Sequence, residues 1–288
     1  MIIDFRFSCP IPEGLDRYLK PKAHMAHYAE HYGARVYGEG SLGRYMEPSE
    51  LIDWLDSLGV DRVLMKCADS ETTRGTKTPM DKIYGYVRQR PDRLLAAAGV
   101  DPHKGMRAVR ELEHAVKEYG FVACNMGPWE LELHANDKRF YPIYTKCCEL
   151  DIPVLLHTSM NLSRNLLMEY GRPIHLDEVA RDFPELKIVA VHGGWPWMLE
   201  MVAVAWKQPN VYIEISGTRP KYIGTPNTGW EPLLQFGNGV LKNKVLWASN
   251  WPMLDPKEGI EGVRSFPLRE EVKRMWLGEN AARLLKLA

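Results

Sequence analysis

Eight short apolar runs, rich in valine, isoleucine and leucine, alternate along the chain with longer segments, and this alternation restricts the possible folds more than any other feature. The intervening segments 48–58, 106–119 and 177–183 repeat leucine and valine at helical spacing. Strands that alternate with helices are typical of parallel sheets, and eight such units in 288 residues predict an α/β protein, a closed (β/α)8 TIM barrel. We expect the strands within residues 1–7, 60–66, 94–100, 121–126, 152–157, 186–192, 211–216 and 244–249.

The whole chain, residues 1–288, is predicted to form one barrel domain with two insertions. Residues 11–46 follow the first predicted strand, and residues 218–239 follow the seventh. Loops that follow strands lie at the carboxyl-terminal end of a TIM barrel, where such barrels carry their active sites. We therefore predict that 11–46 forms a lid over the barrel mouth and that 218–239 forms a loop beside it.

Composition excludes several classes of partner. The 37 lysine and arginine residues balance 37 aspartate and glutamate residues, so we expect no nucleic-acid partner and no binding to an anionic membrane. No apolar run approaches the roughly 18 residues of a membrane helix, and Asp4 and Arg6 interrupt the position where a signal peptide would be apolar. The five cysteines include no CxxC pair and are interpreted as reduced thiols. These features predict a soluble cytoplasmic protein.

Polar side chains fall at the predicted carboxyl ends of the strands, where the site of a TIM barrel is built. His157 in VLLHTS and His192 in IVAVHGG end two successive strands. A single histidine at a strand end is more often structural, but two on adjacent strands favour a shared site. The other polar or reactive residues at these ends are Arg6, Ser8, Cys67, Asp101, His103, Asn125, Glu214 and Asn250.

Six motifs, distributed over nearly the whole chain, occur together. They are MIID, DIPVLLHTS, FPELKIVAVHGGWPW, NVYIEISG, VLWASNWP and GENAARLLKL. In this combination the chain resembles the amidohydrolase-related family of aminocarboxymuconate-semialdehyde decarboxylase. The resemblance implies a TIM barrel that acts on small carboxylated rings or dienes.

The resemblance also implies a catalytic divalent metal, usually zinc, and here the chain departs from the family pattern. The two histidines of the family's first strand fall on Arg6 and Ser8, and the aspartate of its last strand falls on Asn250. Only His157 and His192 remain. A guanidinium has no lone pair to donate, and its charge repels a cation. We therefore predict that no metal or other cofactor is required and that the guanidinium replaces the cation.

A guanidinium can hold a planar carboxylate through two parallel hydrogen bonds. We predict an enzyme that hydrolyses or hydrates a small carboxylated, cyclic or unsaturated molecule; decarboxylation ranks lower because it relies on the metal in this family. Arg6 is expected to hold the carboxylate, and His192 or His157 to act as general base. The other expected roles are a hydrogen bond from Asn250 to the reacting group and substrate contacts from Ser8, Asn125, Trp195 and Trp251.

Two alternatives remain open from the sequence. The chain is a catalytically inactive subunit that partners an active paralogue, with Arg6 in an internal ion pair with Asp4 or Glu214. Alternatively, zinc or another divalent metal is held by His157, His192 and an outside donor such as Glu214. Under each of these interpretations, including that of an active metal-free enzyme, the protein is expected to form a homo-oligomer or to pair with a paralogous subunit.

A histidine of the predicted lid is another possible outside donor. His24, His27 and His31 are spaced i, i+3, i+7, which places them on one face if the segment is helical. No cysteine or carboxylate completes a recognised metal spacing, so a polar surface helix is the preferred interpretation.

Overall fold

The structure is a computed structural model that describes residues 1–20, 25–33 and 42–287. It is organised around an eight-stranded parallel sheet in which the spatial order of the strands follows their order in the chain. The strands are β1 Ile3–Phe7, β2 Arg62–Lys66, β3 Leu94–Gly99, β4 Ala123–Met126, β5 Val154–His157, β6 Ile188–Val191, β7 Val211–Ile215 and β8 Val245–Trp247.

Helices connect the strands and surround the sheet. Each predicted helical segment is observed, the first with the expected bounds and the other two within three residues of them. A two-stranded hairpin, Asp69–Ser70 with Thr76–Lys77, lies outside the sheet. The helices are α1 Pro12–Leu19, α2 Ala26–Tyr32, α3 Pro48–Leu58, α4 Glu71–Arg74, α5 Met80–Val87, α6 Met106–Lys117, α7 Pro128–Leu131, α8 Tyr141–Glu149, α9 Ile174–Asp182, α10 Met198–Lys207, α11 Pro220–Gly224, α12 Glu231–Gly237, α13 Pro256–Ser265, α14 Glu270–Arg274 and α15 Asn280–Leu284.

The segment after β8 returns to β1 and nearly closes the sheet into a barrel. The backbone N–H of Asn250 donates to the carbonyl oxygen of Arg6 at 2.8 Å. The Ser249 hydroxyl and backbone N–H donate to the Asp4 carboxylate at 2.5 and 2.9 Å. The predicted TIM barrel is therefore confirmed, and each of the eight predicted runs contains one of its strands.

Apolar side chains fill the amino-terminal half of the barrel, and α15 closes that end. A Cβ atom at Gly278 would lie 2.4 Å from the Met1 carbonyl oxygen, so only glycine permits this close approach. Because this floor is solid, a binding site inside the barrel can open only toward the carboxyl ends of the strands. The buried floor consists of Ile3, Phe5, Leu64, Ala97, Ala123, Leu155, Val189, Val191, Leu246, Ala248, Ala281 and Leu284.

A β-bulge in β1 determines the direction of Arg6. One extra residue on this strand places both Phe5 and Arg6 opposite Leu64 of β2. Phe5 belongs to the barrel floor, and the Arg6 side chain reaches Asn125 on β4. The bulge thus turns the guanidinium into the barrel mouth.

The described parts of 11–46 pack over the mouth. Tyr18 of α1 is buried, with its ring centroid 5.6 Å from the Lys66 ammonium. The Tyr28 hydroxyl of α2 accepts a hydrogen bond from the backbone N–H of Leu162, which follows β5. Residues 21–24, including His24, and 34–41 lie outside the described residues, so the lid boundaries stay a prediction.

The predicted loop 218–239 contains α11 and α12. Trp230, which precedes α12, packs so closely on Gly193 that a Cβ atom there would lie 2.8 Å from the indole ring. The Trp195 indole donates to the Thr228 carbonyl oxygen at 3.0 Å. The segment is thereby attached to the loop after β6. Within the described ranges, none of the helices combines the length and apolar character that crossing a membrane requires.

Candidate active site

Arg6 and Asn125 meet in the barrel mouth. Nη1 of Arg6 donates to Oδ1 of Asn125 at 2.9 Å, and Nδ2 of Asn125 donates to the Cys67 carbonyl oxygen at 2.7 Å, which fixes the amide orientation. Among the described carboxylates none lies within 4.0 Å of the Arg6 guanidinium. Arg6 is therefore held by an amide, and the ion pair with Asp4 or Glu214 considered for an inactive subunit is not observed.

Lys66, which the sequence analysis did not select, enters the mouth from β2 next to Arg6. Its side chain is buried, and Nζ donates to Oδ1 of Asn250. Burial, with further repulsion from Arg6 and Arg17, lowers its pKa to about 8, although Tyr18 opposes the shift. The available signal was strand parity: Lys66 lies two residues after Leu64, whose side chain belongs to the barrel floor.

The two strand-end histidines lie side by side, with ring centroids 5.0 Å apart and planes at 67°. Nδ1 of His192 is 3.1 Å from the Ser216 carbonyl oxygen and 2.8 Å from its hydroxyl. Because a carbonyl only accepts, this contact indicates a proton on Nδ1 and a lone pair on Nε2. Burial and the charge of Arg6 lower the pKa of His157 to about 3, and burial also lowers the pKa of His192. Both rings are therefore neutral at neutral pH.

Glu214 of β7 is fully buried on the same side of the barrel. Burial raises its pKa to about 7, while Arg6 and Ser216 act in the opposite direction. Glu214 can therefore gain or lose a proton near neutral pH, which the carboxyl group of an exposed glutamate does not do.

Four residues at the mouth carry buried polar atoms that have no hydrogen-bonding partner of normal geometry among the described residues. They are Arg6 at Nε, Ser8 at Oγ, His157 at Nδ1 and Glu214 at both carboxylate oxygens. Buried polar atoms in proteins nearly always have partners, so a concentration of unpaired ones indicates a place for polar ligand atoms or water.

Trp251 and Trp195, the two predicted aromatic substrate contacts, differ in their burial. Trp251 is 1% exposed and stacks on Phe7 at 4.7 Å, with Trp54 of α3 also packed against it. The chain after β8 crosses to β1 and places this indole in the core, and the predicted substrate contact of Trp251 stays a prediction. Trp195 remains partly accessible in the loop after β6. Trp129, which the sequence analysis did not select, lies 5.8 Å from the ring centroid of His157.

Comparison with known proteins gives the chain a family context. A model of the amidohydrolase family matches residues 42–287. The 2-keto-4-carboxy-3-hexenedioate hydratase of Sphingobium sp. is 30% identical over 102 residues, 30% of this chain and 30% of the hydratase. The 2-amino-3-carboxymuconate-6-semialdehyde decarboxylase of Dictyostelium discoideum is 22% identical over 238 residues, 72% of this chain and 65% of that enzyme. The resemblance indicated by the six motifs is thereby confirmed.

Solved structures share the fold over almost the full length. An uncharacterised TIM-barrel protein from Bordetella bronchiseptica is 24% identical, with a TM-score of 0.77 over 99% of this chain and 98% of the other. The 5-carboxyvanillate decarboxylase of Novosphingobium aromaticivorans, solved with manganese and 4-hydroxy-3-methoxy-5-nitrobenzoic acid, is 18% identical. Its TM-score is 0.69, over 99% of this chain and 95% of the decarboxylase. In the described part of this chain, no group of three or more His, Cys, Asp or Glu side chains is placed to hold a metal ion.

Proposed function

The chain belongs to the amidohydrolase family, and we propose that it is an enzyme that adds water to a small carboxylated, cyclic or unsaturated substrate by hydration or hydrolysis. The observation that carries the proposal is the cluster of unpaired buried polar atoms on Arg6, Ser8, His157 and Glu214. A positive donor, a hydroxyl, a neutral imidazole and a carboxyl group together match a carboxylated substrate and a water molecule.

The carboxylate binds at Arg6. Nη1 is engaged by Asn125, whereas Nε is unpaired, so the guanidinium is oriented and still has a donor to offer. Lys66 adds a second positive charge from the neighbouring strand, and the histidines nearby are neutral. Because a guanidinium and an ammonium in a buried site favour an anion, a carboxylate has a strong electrostatic preference for this mouth.

His192 acts as the general base and Glu214 as the acid. The lone pair on Nε2 of His192 can accept a proton from water, and Glu214, with a pKa of about 7, can deliver one to the substrate. Burial is the largest cause of the low pKa of His192, and the charge of Arg6 lowers this pKa further. A substrate carboxylate on Arg6 offsets that charge and so removes this part of the effect.

One of the curated relatives supports this reaction class. It is a hydratase whose substrate is named as a keto acid with further carboxyl groups, whereas two others are decarboxylases. Hydration needs only the transfer of protons and the placement of water, which a base and an acid at these positions supply. Decarboxylation remains the weaker candidate because it relies on the metal in this family.

We also propose that the reaction needs no metal ion. The residues present do not fit a divalent cation, because the described mouth residues offer only two neutral imidazole donors, those of His157 and His192. The Asn250 side chain, at the family's carboxylate position, receives the Lys66 ammonium through its oxygen. Repulsion between two like charges about 4 Å apart is roughly 4 kcal/mol at moderate effective dielectric, and both Arg6 and Lys66 would exert it. No step of the mechanism passes through a metal.

The test is calorimetric titration of chelator-treated protein with aromatic, pyrone and muconate-type carboxylates. Truncating a buried charged partner typically costs about 2 to 5 kcal/mol, so Arg6→Ala should weaken binding by roughly 30-fold or more. Arg6→Lys should restore only part, because an ammonium cannot form the planar fork. Arg181→Ala, at an exposed position of α9, serves as the control. Equal affinity of Arg6→Ala and the wild type for every ligand would refute the proposal.

A further inference from the structure

We propose that Lys66 is a nucleophile that forms a reversible iminium bond with the oxo carbon of a 2-oxo acid. The inference rests on the proposed carboxylate site at Arg6 and narrows its substrates to carboxylates with an adjacent oxo group. Lys66 is a buried amine in the mouth, and the binding of a carboxylate at Arg6 does not by itself require a second amine.

The strand positions of Arg6 and Lys66 suit the two adjacent groups of a 2-oxo acid. β1 and β2 are hydrogen-bonded neighbours, and adjacent strands lie about 4.8 Å apart. Arg6 enters the mouth from β1 and Lys66 from β2. In a 2-oxo acid the carboxylate carbon and the oxo carbon are directly bonded. A carboxylate on the guanidinium therefore brings the oxo carbon toward Nζ of Lys66.

The amine is not committed to a structural ion pair. Among the described residues, no carboxylate lies within 4.0 Å of Nζ, whose hydrogen bonds go to the neutral amide of Asn250 and to Tyr18. Lys104 differs, because its buried ammonium lies 2.6 Å from Asp69 and 2.8 Å from Glu71. Lys66 can consequently lose its proton without leaving a buried carboxylate unpaired.

The surroundings of Lys66 also supply uncharged amine, the form that attacks a carbonyl. Its pKa of about 8, against an ordinary 10.5, increases the uncharged fraction at neutral pH on the order of 100-fold. Tyr18 lies against the ammonium, and its own pKa is lowered to about 8 by Lys66, Arg17 and Arg6 despite its burial. Tyr18 is therefore placed to take the proton from Lys66 and to return it.

The step balances without a further reactant. The ammonium passes one proton to Tyr18 in its phenolate form, and the Nζ lone pair forms a bond to the oxo carbon while the C=O π electrons move to oxygen. An N–H proton and the proton held by Tyr18 pass to that oxygen, which leaves as water as the C=N bond forms. The ammonium and the oxo acid thus give one iminium and one water, with the charge unchanged, and hydrolysis reverses the step.

The experiment uses the full-length protein with pyruvate and sodium borohydride, which reduces an iminium to a stable amine. Mass spectrometry of the intact protein and of its peptides should find one reduced adduct, on Lys66, that requires both reagents. Lys66→Arg retains the charge without a comparable nucleophile, so the adduct should fall at least about tenfold. Thermal unfolding of this variant verifies that it is folded.

Lys244 provides a matched internal control. Burial lowers its pKa to about 8 as well, but Nζ donates to the carbonyl oxygens of Ala205 and Gln208 at 2.6 Å, and Lys244 lies at the start of β8, opposite the mouth. Its peptide should remain unmodified, and Lys244→Met should retain the Lys66 adduct. Equal trapping on both lysines, or no adduct at saturating pyruvate, would overturn the proposal.

A parallel titration with muconate, which has no oxo group, separates the two proposals. If the wild type and Arg6→Ala bind muconate with equal affinity, the proposed carboxylate site is overturned. If muconate binding depends on Arg6 but no reduced pyruvate adduct forms, only the iminium proposal is overturned.

Discussion

Replacing Glu214 by glutamine should stabilise the protein in a pH-dependent way. The carboxyl group is fully buried, and its pKa is about 7 against an ordinary 4.5. The folded chain therefore keeps a proton that the unfolded chain releases between these values. A raised carboxyl pKa stabilises the fold below pH 4.5, and this contribution is lost as the pH rises through about 7.

The magnitude follows from the same shift. A difference of about 2.5 pKa units corresponds to about 3 kcal/mol, which is the cost of ionising Glu214 inside the fold. Glutamine has almost the same shape and never carries this charge. Glu214→Gln should match the wild type at acid pH and be more stable by about 3 kcal/mol above neutrality, or about 5 °C in melting temperature for a chain of this length.

Thermal and urea unfolding of both proteins across this pH range tests the prediction. Asp4, whose pKa burial raises to about 6, and His157, whose pKa is lowered to about 3, act in opposite directions on absolute stability. Both proteins contain them, so they largely cancel in the difference. Glu185→Gln, at an exposed position, serves as the control. A pH-independent difference, or a destabilised Glu214→Gln, would refute the reasoning.

Three further predictions concern the site and its support. His192→Asn should leave ligand binding nearly intact and remove turnover, because a general base acts in the transition state; calorimetry and turnover assays separate these effects, and a fall in affinity as large as that of Arg6→Ala would contradict it. Gly193→Val combines a φ of 73° with a contact of 2.8 Å to Trp230, so its melting temperature should drop further than that of Gly120→Val, which has a φ of 69° and nothing within 4 Å. Elemental analysis of protein purified without chelator should find well under one equivalent of zinc, manganese or iron; stoichiometric metal that is lost in His157→Ala would contradict the metal-independent proposal.

The sequence predicted the strands well because buried parallel strands form continuous apolar runs. His157 and His192 could be identified because polar residues stand out at the ends of such runs. Lys66 was missed because the long aliphatic stem of a lysine continues an apolar run, and only its alternation with Leu64 along the strand indicated that it points into the barrel. Trp251 follows Asn250 directly, and the sequence alone did not predict that its ring would stack on Phe7.

Contacts between distant segments were beyond sequence reasoning. Tyr18 meets Lys66 only because α1 folds back over β2, and no local pattern encodes that approach. The direction of Arg6 depends on the extra residue in β1, which is defined only by pairing with β2. Buried charges also shift one another's pKa values, so the protonation states of the site emerge only from the assembled barrel.

The way the barrel closes bears on how such a site can change over time. The hydrogen bond that joins positions 6 and 250 runs between main-chain atoms, the N–H of one residue and the carbonyl oxygen of the other. Any amino acid other than proline supplies the donor, and every amino acid supplies the acceptor. Substitutions at these two positions can therefore alter the chemistry of the mouth while the main-chain hydrogen bond between them still closes the barrel. An ancestor with other side chains at these positions could thus have passed to arginine and asparagine through folded intermediates.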